Sequence, residues 1–233
     1  MLLISIACGA LTLAGVWQRR AVLVASVRAA IQLAVVAAAL RGVFAAPAAV
    51  VAVLVVMFGV ATWTSARRLR AHDGAYRAVV IACGGGAVLA IGIVVGLPML
   101  QRDLRTLVAV SGIVIGGCMT AATLTGRRLA DALDRRREEV EAWLSIGATP
   151  RQAVRDLARD AVYDALVPAL DQTRTVGLVT LPGAFVGALI GGAGAVGAAR
   201  FQLAVLVALL CAEAVTAVVL AYLIGAPKTL PAR

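Results

Sequence analysis

The chain has 233 residues, of which 62% are hydrophobic, and its mean hydropathy is +0.96, which excludes an ordinary soluble domain. The net charge of +10 could indicate a nucleic-acid-binding protein, but only 4% of the residues are aromatic and the arginines stand between apolar runs. Membrane topology explains such arginines better. We therefore predict an all-α, polytopic membrane protein with about seven transmembrane helices.

The first two apolar runs cover residues 2–17 and 21–44. The first is short for a membrane span, and the alternative is a signal peptide. We favour a short helix because no basic segment precedes the run and no small-residue cleavage site follows it. The second run carries Arg28 and Gln32, one helical turn apart on one face. Arg28 either faces protein or water within the membrane, or lies near the cytoplasmic end and extends to the surface.

The next three predicted spans are 47–66, 76–100 and 105–125. His72 lies in the basic loop after the first of these and has no neighbours with metal-ligand spacing. The glycine triplet 84–86 in the second permits close approach of helices. In the third, Gly112 and Gly116 form a small-xxx-small pattern. Cys118 and Met119 are soft side chains that either bind metal or simply pack.

The sixth and seventh predicted membrane elements are 162–193 and 201–224. The sixth does not read as a simple helix, because polar residues and Pro168 interrupt its start and Pro182-Gly183 breaks its middle. Asp171 and Arg174 are three residues apart and can form an ion pair within a helix. Broken backbone at membrane depth is tolerated where it is buried in protein or lines a cavity, so this element is a candidate transport pathway. Glu213 in the seventh span is either functional or a structural partner for a polar residue on another helix.

A long polar segment, residues 126–160, separates the fifth and sixth elements and is here termed the elbow. Gly147 can end a first helix in the left-handed conformation. Thr149 can cap a second helix, with Pro150 at its first position and Gln152 three residues after the cap. Apolar residues at helical spacing are expected to line the inner face of the two helices. These are Leu129, Leu133, Val140, Leu144, Ala153, Leu157 and Ala161.

The order of residues in the elbow also resembles a known functional motif. Glu141-Ala142 is followed by Gly147 and then, about twenty residues on, by Val167-Pro168. This order resembles the EAA-type loop of ABC-transporter membrane subunits, the cytoplasmic element that docks into a groove on the ATPase. The alternative is a solvated helical hairpin that joins two spans. The residues assigned to ATPase coupling are Glu141, Gly147, Ala148, Thr149, Pro150 and Arg151.

The distribution of positive charge predicts the topology. With the elbow in the cytoplasm, seven spans place the N-terminus outside and the C-terminus inside. Only four basic residues then lie outside, namely Arg41, Arg102, Arg105 and Arg200. Sixteen lie inside, as the positive-inside rule requires. They are Arg19, Arg20, Arg67, Arg68, Arg70, Arg77, Arg127, Arg128, Arg135, Arg136, Arg137, Arg151, Arg155, Arg159, Lys228 and Arg233.

The sequence contains no recognisable catalytic set. It has no Ser/His/Asp arrangement, no zinc-protease motif and no nucleotide-binding Lys-Ser/Thr. The four cysteines lie in apolar runs without paired spacing, as small buried residues do. A membrane subunit powered by a separate ATPase fits these observations, because the chain has a docking element but no nucleotide site of its own. We therefore expect a transport subunit and not an enzyme.

Three segments make a family resemblance specific. They are SVRAAIQL (26–33), LSIGATPRQA (144–153) and LVPALDQTRTVGLVTLPG (166–183), and they resemble the Fet-type (FetB) ABC permease family. Its bacterial members are associated with iron export, and its plant relatives with aluminium tolerance and nucleotide-sugar transport. Near Met119 the family tends to read Gly-Asn-Ala-Met, whereas this chain has glycine at 117 and a thiol at 118.

The resemblance covers almost the whole chain and implies one permease domain, 1–233. It implies a cell-membrane protein that pairs with a separate ATP-binding subunit, as two permeases and two ATPases. ATP and Mg²⁺ would be bound by the partner, no cofactor by this chain, and the metal ligands remain unassigned. The predicted pathway consists of Arg28, Gln32, Met119, Asp171, Arg174 and Glu213. The alternatives are a permease for a nucleotide sugar or other small solute, a membrane scaffold and an intramembrane enzyme.

Overall fold

The computed structural model describes residues 2–16, 19–43, 47–69, 74–96 and 103–226. Over these ranges the chain is all-α, as predicted, with no strand beyond one isolated bridge between Val176 and Thr180. Arg70, His72, Arg102, Lys228 and Arg233 lie outside the described residues, as do the predicted span ends at 17, 44 and 100. The helices are α1 (Leu2–Leu13), α2 (Arg19–Val43), α3 (Pro47–Arg68), α4 (Ala75–Gly96), α5 (Leu104–Arg135), α6 (Arg137–Ser145), α7 (Pro150–Thr175), α8 (Gly183–Ile190) and α9 (Gly194–Ile224).

Five of the described helices, α2, α3, α4, α5 and α9, are long and apolar enough to cross a membrane. The first predicted run forms α1, which has 12 residues. Such a helix is about 18 Å long, against a hydrocarbon core of about 30 Å. The sixth predicted element is divided between the end of α7 and the eight-residue α8.

The chain forms two compact units, Met1–Val51 and Ala52–Arg233. In the first unit, α1 packs against α2. In the second unit, α9 packs against α4, α5, α7 and α8. Its core is formed mainly by small and β-branched residues, including Val79, Val114 and Val154, which are fully buried.

Small residues let α4 and α9 approach closely. Thr216 donates a hydrogen bond to the backbone oxygen of Ala82, over 3.3 Å. One turn along α4, a Cβ at Gly86 would overlap Thr216 and the backbone of Ala212. The contacts therefore run in opposite directions along the two helices, which are antiparallel. The close approach predicted for the glycine triplet is found at Gly86, whereas Gly85 faces open space.

The α3 and α5 helices run parallel within the second unit. The Ser65 hydroxyl donates to the backbone oxygen of Met119 over 3.0 Å and lies 3.1 Å from the hydroxyl of Thr123. Further along α5, the side chain of Leu69, the residue after the end of α3, fills the space left by Gly126. The C-terminal ends of α3 and α5 therefore lie at the same end of the unit. This is termed the elbow end, since α5 continues from it into the elbow.

One expectation about the sixth element is wrong. We expected Pro168 to interrupt its start, but α7 continues through Pro168 to Thr175. A proline inside a helix removes one backbone hydrogen bond, and the rest of a long helix can hold the segment together. The break comes at Gly177, whose φ of +79° favours glycine. The predicted break at Pro182-Gly183 is confirmed, because Pro182 caps α8 and Gly183 is its first residue.

Candidate functional site

The turn of the elbow has the predicted geometry. α6 ends at Ser145, and Gly147 follows with φ +92°, in the left-handed region. Thr149 then caps α7: its hydroxyl accepts from the Gln152 amide, and the Gln152 side chain accepts from the Thr149 amide over 2.8 Å. Pro150 occupies the first helical position. This capping box defines the direction in which α7 leaves the turn.

The inner stripe of the elbow is buried as predicted, except at its end. Leu144 was expected on the buried face, but 37% of its surface is exposed. It lies one residue from the end of α6, where the chain turns away from the core. Trp143 and Ile146, 49% and 75% exposed, lie beside it in the sequence. The three residues Trp143, Leu144 and Ile146 form an apolar, solvent-facing surface, termed the elbow tip.

Ion pairs connect the elbow helices. Arg137 pairs with Glu141 over 2.8 Å within α6. Arg136 pairs with Glu139 over 2.7 Å and reaches Asp160 on α7 over 3.7 Å. The hydrogen bond to Glu139 raises the pKa of the Arg136 guanidinium. These pairs are exposed and contribute little to stability individually, but the Arg136–Asp160 pair couples α6 to α7.

The start of α7 also contacts the end of α9. The Arg151 guanidinium lies over the Tyr222 ring, 4.0 Å from its centroid, which is favourable cation–π geometry. The aromatic ring belongs to the last turn of α9. Arg151 therefore contacts a helix that crosses the whole unit, so a displacement of the elbow turn would be transmitted to α9.

Glu213 lies inside the second unit, where α9 faces α5. Its residue surface is 8% exposed, and it makes no hydrogen bond or ion pair with another residue that the structure describes. A Cβ at Gly117 would lie 2.6 Å from a carboxylate oxygen of Glu213 and would overlap the Leu209 side chain. Gly116 has nothing within 4 Å. Gly117 is therefore the glycine that leaves room for Glu213, whereas of the predicted small-xxx-small pair only Gly112 lies against another side chain, that of Met57.

Two thiols lie close to this contact. Cys118 points its sulfur to the backbone oxygen of Ala212, at 3.9 Å, and Cys83 points its sulfur to the backbone oxygen of Cys118, at 3.6 Å. Both cysteines are buried. Among the described residues, no group of three or more His, Cys, Asp and Glu side chains is arranged to hold a metal ion. The geometry here favours helix packing by small residues over a preformed metal cage.

The remaining predicted pathway residues lie in different places. Met119 is half-buried, and its backbone oxygen accepts from hydroxyls on α3 and α5. Asp171 and Arg174 form the predicted pair at 3.9 Å, on the last turns of α7, with both side chains exposed. Arg28 and Gln32 lie on α2 in the first unit, and both are exposed. No described contact joins Asp171 or Arg174 to Glu213.

A cavity lies at the opposite end of the second unit from the elbow. It has a volume of about 910 Å³, is open on one side and is lined by the first turns of α5, by α8 and by the first turns of α9. Its lining is mostly small and apolar, with two arginines, Arg105 and Arg200. Since the starts of α5 and α9 share one cavity, these helices are parallel, and α9 also ends at the elbow end.

Several residues that shape these sites were not singled out from the sequence. In the sequence, Tyr222 and Thr216 are two ordinary residues of an apolar span. Without the neighbouring helix, nothing indicates that the Tyr222 ring is exposed and the Thr216 hydroxyl is buried. Arg136 was counted only as a positive charge. The elbow tip has a signal in the sequence, because Trp143 and Ile146 are large apolar residues within a polar segment.

Comparison with known proteins shows similarity over nearly the whole chain. Residues 1–227 match UPF0014, an uncharacterised protein family. The chain is 32% identical to the UPF0014 membrane protein STAR2 of Oryza sativa subsp. japonica, over 86% of this chain and 71% of STAR2. It is 31% identical to the probable iron export permease protein FetB of Escherichia coli (strain K12), over 84% of this chain and 76% of FetB. It is also 30% identical to the protein ALUMINUM SENSITIVE 3 of Arabidopsis thaliana, over 72% of this chain and 61% of that protein. No solved structure matches at a significant level.

Proposed function

The chain belongs to the UPF0014 family of membrane proteins, and we propose that it is the permease subunit of an ABC transporter that exports iron or another metal. The observation that carries the proposal is the elbow, which presents an exposed apolar tip beside a rigid, capped turn. The name of the bacterial relative, a probable iron export permease, supports metal as the cargo. In this proposal, a separate subunit binds ATP and Mg²⁺ and supplies the energy.

The elbow tip is the surface that docks on the ATPase. Exposed apolar surface rimmed by polar residues is typical of protein–protein contacts. The tip lies between the ion-paired face of α6 and the coupling residues Gly147, Ala148, Thr149, Pro150 and Arg151, with Glu141 one turn earlier. In this arrangement, two permeases and two ATPases form the transporter.

The proposed topology places the elbow end in the cytoplasm. Because α3, α5 and α9 are parallel, their C-terminal ends lie together, and α4 and α7 begin there. Arginines are concentrated at this end, and the positive-inside rule then orients the unit. In the full topology of seven membrane elements, α7 and α8 together supply the sixth, the N-terminus is outside and the C-terminus is cytoplasmic.

ATP binding by the partners moves the elbow, and two contacts pass that movement on. Arg151 contacts Tyr222 on α9, and Arg136 contacts Asp160 on α7. The α9 helix carries Glu213, and α7 ends with Asp171 and Arg174. With Arg28, Gln32 and Met119, these residues form the proposed pathway, which changes its accessibility as the helices move.

The pathway assignment is tested at Asp171. We expect Asp171→Asn to reduce transport at least tenfold, because it removes the charge that Arg174 pairs with. The matched control is Asp156→Asn, which breaks a similar exposed pair with Arg159 on the same helix, at the elbow end. Transport is measured in proteoliposomes containing the ATPase. Wild-type transport by a well-expressed Asp171→Asn variant would remove Asp171 from the pathway.

A second candidate cargo is an anionic solute such as a nucleotide sugar. The cavity of about 910 Å³ favours it, because Arg105 and Arg200 line the walls and would repel a free metal cation. The two cargoes are distinguished by the ATPase activity of the complex in lipid. Stimulation by Fe²⁺ supports metal export, whereas stimulation by a nucleotide sugar supports the second candidate.

The permease assignment itself is tested by purification of the tagged chain from its native membrane. We expect an ATP-binding subunit to co-purify, with ATPase activity that requires the permease. A chain that purifies alone from native membranes, with no ATPase in cross-linked samples either, would contradict the docking role of the elbow and favour a membrane scaffold.

A further inference from the structure

A groove of about 480 Å³ lies between α7 and α9 at the elbow end. The Arg151–Tyr222 contact forms part of its wall, but the residues of the transport pathway and of the elbow tip do not line it. One end of the groove is basic. Arg151, Arg155 and Arg159 line it from α7 and, being four residues apart, they lie on one helix face. The other end is apolar, with Val162 and Leu166 from α7 and Val218 from α9.

The polarity of the groove changes along the axis of α7. The three arginines occupy about 12 Å of helix, and Leu166 lies about 10 Å beyond them, at 1.5 Å per residue. The order matches the direction of the proposed membrane, because the arginines lie at the elbow end and the aliphatic residues lie toward the middle of the unit. A ligand that fits both ends has an anionic head and an apolar body.

The positive charge of the groove is largely available to a ligand. Arg155 has no ion pair with a described residue. Among the described residues, Arg159 pairs only with Asp156 on its own helix, over 3.4 Å, and both side chains are exposed. Such an exposed pair is weak and yields readily to a better partner. Arg151 stacks on Tyr222 and keeps its charge at the edge of the groove.

Two tyrosines place the groove at a membrane surface. Tyr163 and Tyr222 line it and are 69% and 61% exposed. The apolar span of α9 ends at Ile224, two residues after Tyr222. Tyrosine is enriched where a membrane span meets the headgroup layer, since its ring is apolar and its hydroxyl is polar. Basic pockets between membrane helices at this level suit lipid headgroups.

We propose that this groove binds an anionic phospholipid. The phosphate lies against Arg155 and Arg159, and an acyl chain lies over Val162, Leu166 and Val218. A soluble anion would leave the aliphatic half of the groove unused. The chain segment that follows Ala226 carries Lys228 and Arg233, so its positive side chains are poorly matched to the arginines. The site is separate from the cargo pathway and does not depend on the identity of the cargo.

The test measures lipid binding to the full chain in detergent micelles. The probes are dioleoyl phosphatidylglycerol and dioleoyl phosphatidylcholine, and the readouts are native mass spectrometry and the lipid-induced shift in Tm. We expect the anionic lipid to bind at least tenfold more tightly. The Arg155→Gln/Arg159→Gln variant should lose about thirtyfold of that affinity, since a basic residue near an anionic lipid contributes about 1 kcal/mol.

The matched control is Arg127→Gln/Arg135→Gln, which removes the same charge from exposed positions on α5 outside the groove. It should retain the affinity within about threefold. Equal binding of the two lipids, or equal losses in the two double variants, would overturn the proposal. A tail-free headgroup, sn-glycerol 3-phosphate, should compete only at far higher concentration. Competition at the lipid's own concentration would show a phosphate site without a lipid role and would also overturn it.

Discussion

At the scale of single residues, the contact between Gly117 and Glu213 explains why a carboxylate fits between α5 and α9. The missing side chain at 117 leaves the space in which Glu213 and Leu209 lie. Glycine at 117 and the orientation of Glu213 are therefore a matched pair in this chain.

This packing predicts opposite effects for two neighbouring glycines. Gly117→Ala should destabilise the protein by about 1–3 kcal/mol, because the added methyl group overpacks the contact with Glu213 and Leu209. Gly116→Ala faces open space and should be neutral or stabilising, by up to about 1 kcal/mol, through helix propensity. Thermal unfolding in detergent measures both. Equal Tm values for the two variants would contradict the close contact.

The positive φ of Gly147 predicts a coupling defect. Gly147→Val should strain the turn by about 2 kcal/mol, because a β-branched residue avoids the left-handed region. We expect ATP hydrolysis to continue while transport falls. Gly147→Asn is the control, since asparagine tolerates this conformation better. The measurement is the ratio of transport to ATPase rate in proteoliposomes, and an unchanged ratio in a folded Gly147→Val variant would count against the elbow's role.

At the scale of elements, the elbow is a rigid device with two different faces. Its inner stripe is buried within the second unit, with Leu129, Leu133 and Val140 at most 1% exposed. Its tip is apolar and exposed. The capping box sets the direction of α7 at the turn, and the Arg136–Asp160 pair adds a contact between α6 and α7. A force applied at the tip would consequently reach α7 and α9 instead of being absorbed by a flexible loop.

A substitution at the elbow tip should weaken binding of the ATPase, whereas substitution of an exposed aromatic residue elsewhere should not. Trp143→Ala should weaken ATPase binding at least tenfold, about 1.4 kcal/mol, since tryptophan commonly dominates interface energies. Tyr76→Ala is the control, because Tyr76 is similarly exposed (56%, against 49% for Trp143) on the first turn of α4. Affinity is measured by titration of the purified ATPase. Equal affinities in both variants would exclude the tip from the docking surface.

At the scale of the whole molecule, the parallel course of α3, α5 and α9 collects the arginine-rich ends of the second unit on one side. This arrangement brings together, at the elbow end, loops that are distant in the sequence. It also divides the unit into an elbow end and a cavity end, as the proposed transporter requires for coupling on one side of the membrane and release on the other.

The two ends predict opposite accessibility to a membrane-impermeant maleimide. In a background with Cys8→Ala and Cys211→Ala, Ile146→Cys should be labelled only from the cytoplasmic side. Ala195→Cys, in the first turn of α9, should be labelled only from outside. Cys83 and Cys118 are buried and should react slowly. Labelling of both introduced thiols from the same side would contradict the proposed topology.

The sequence alone determined the class, the family and much of the local structure. Apolar runs long enough for a membrane revealed the five described helices that are long and apolar enough to cross one. The resemblance to Fet-type permeases is confirmed by the relatives. The Gly147 turn and the Thr149 cap were predicted in full, because both depend on a few neighbouring residues whose backbone preferences are strong.

Only the tertiary structure decided which residues face each other. Hydropathy could not distinguish Gly116 from Gly117, because helix faces in a nearly uniform apolar segment carry little periodic signal. The passage of α7 through Pro168 and the stacking of Arg151 on Tyr222 likewise depend on neighbouring helices. Local preference thus sets where a membrane helix begins and turns, whereas packing between helices sets which of its small, polar and charged residues meet.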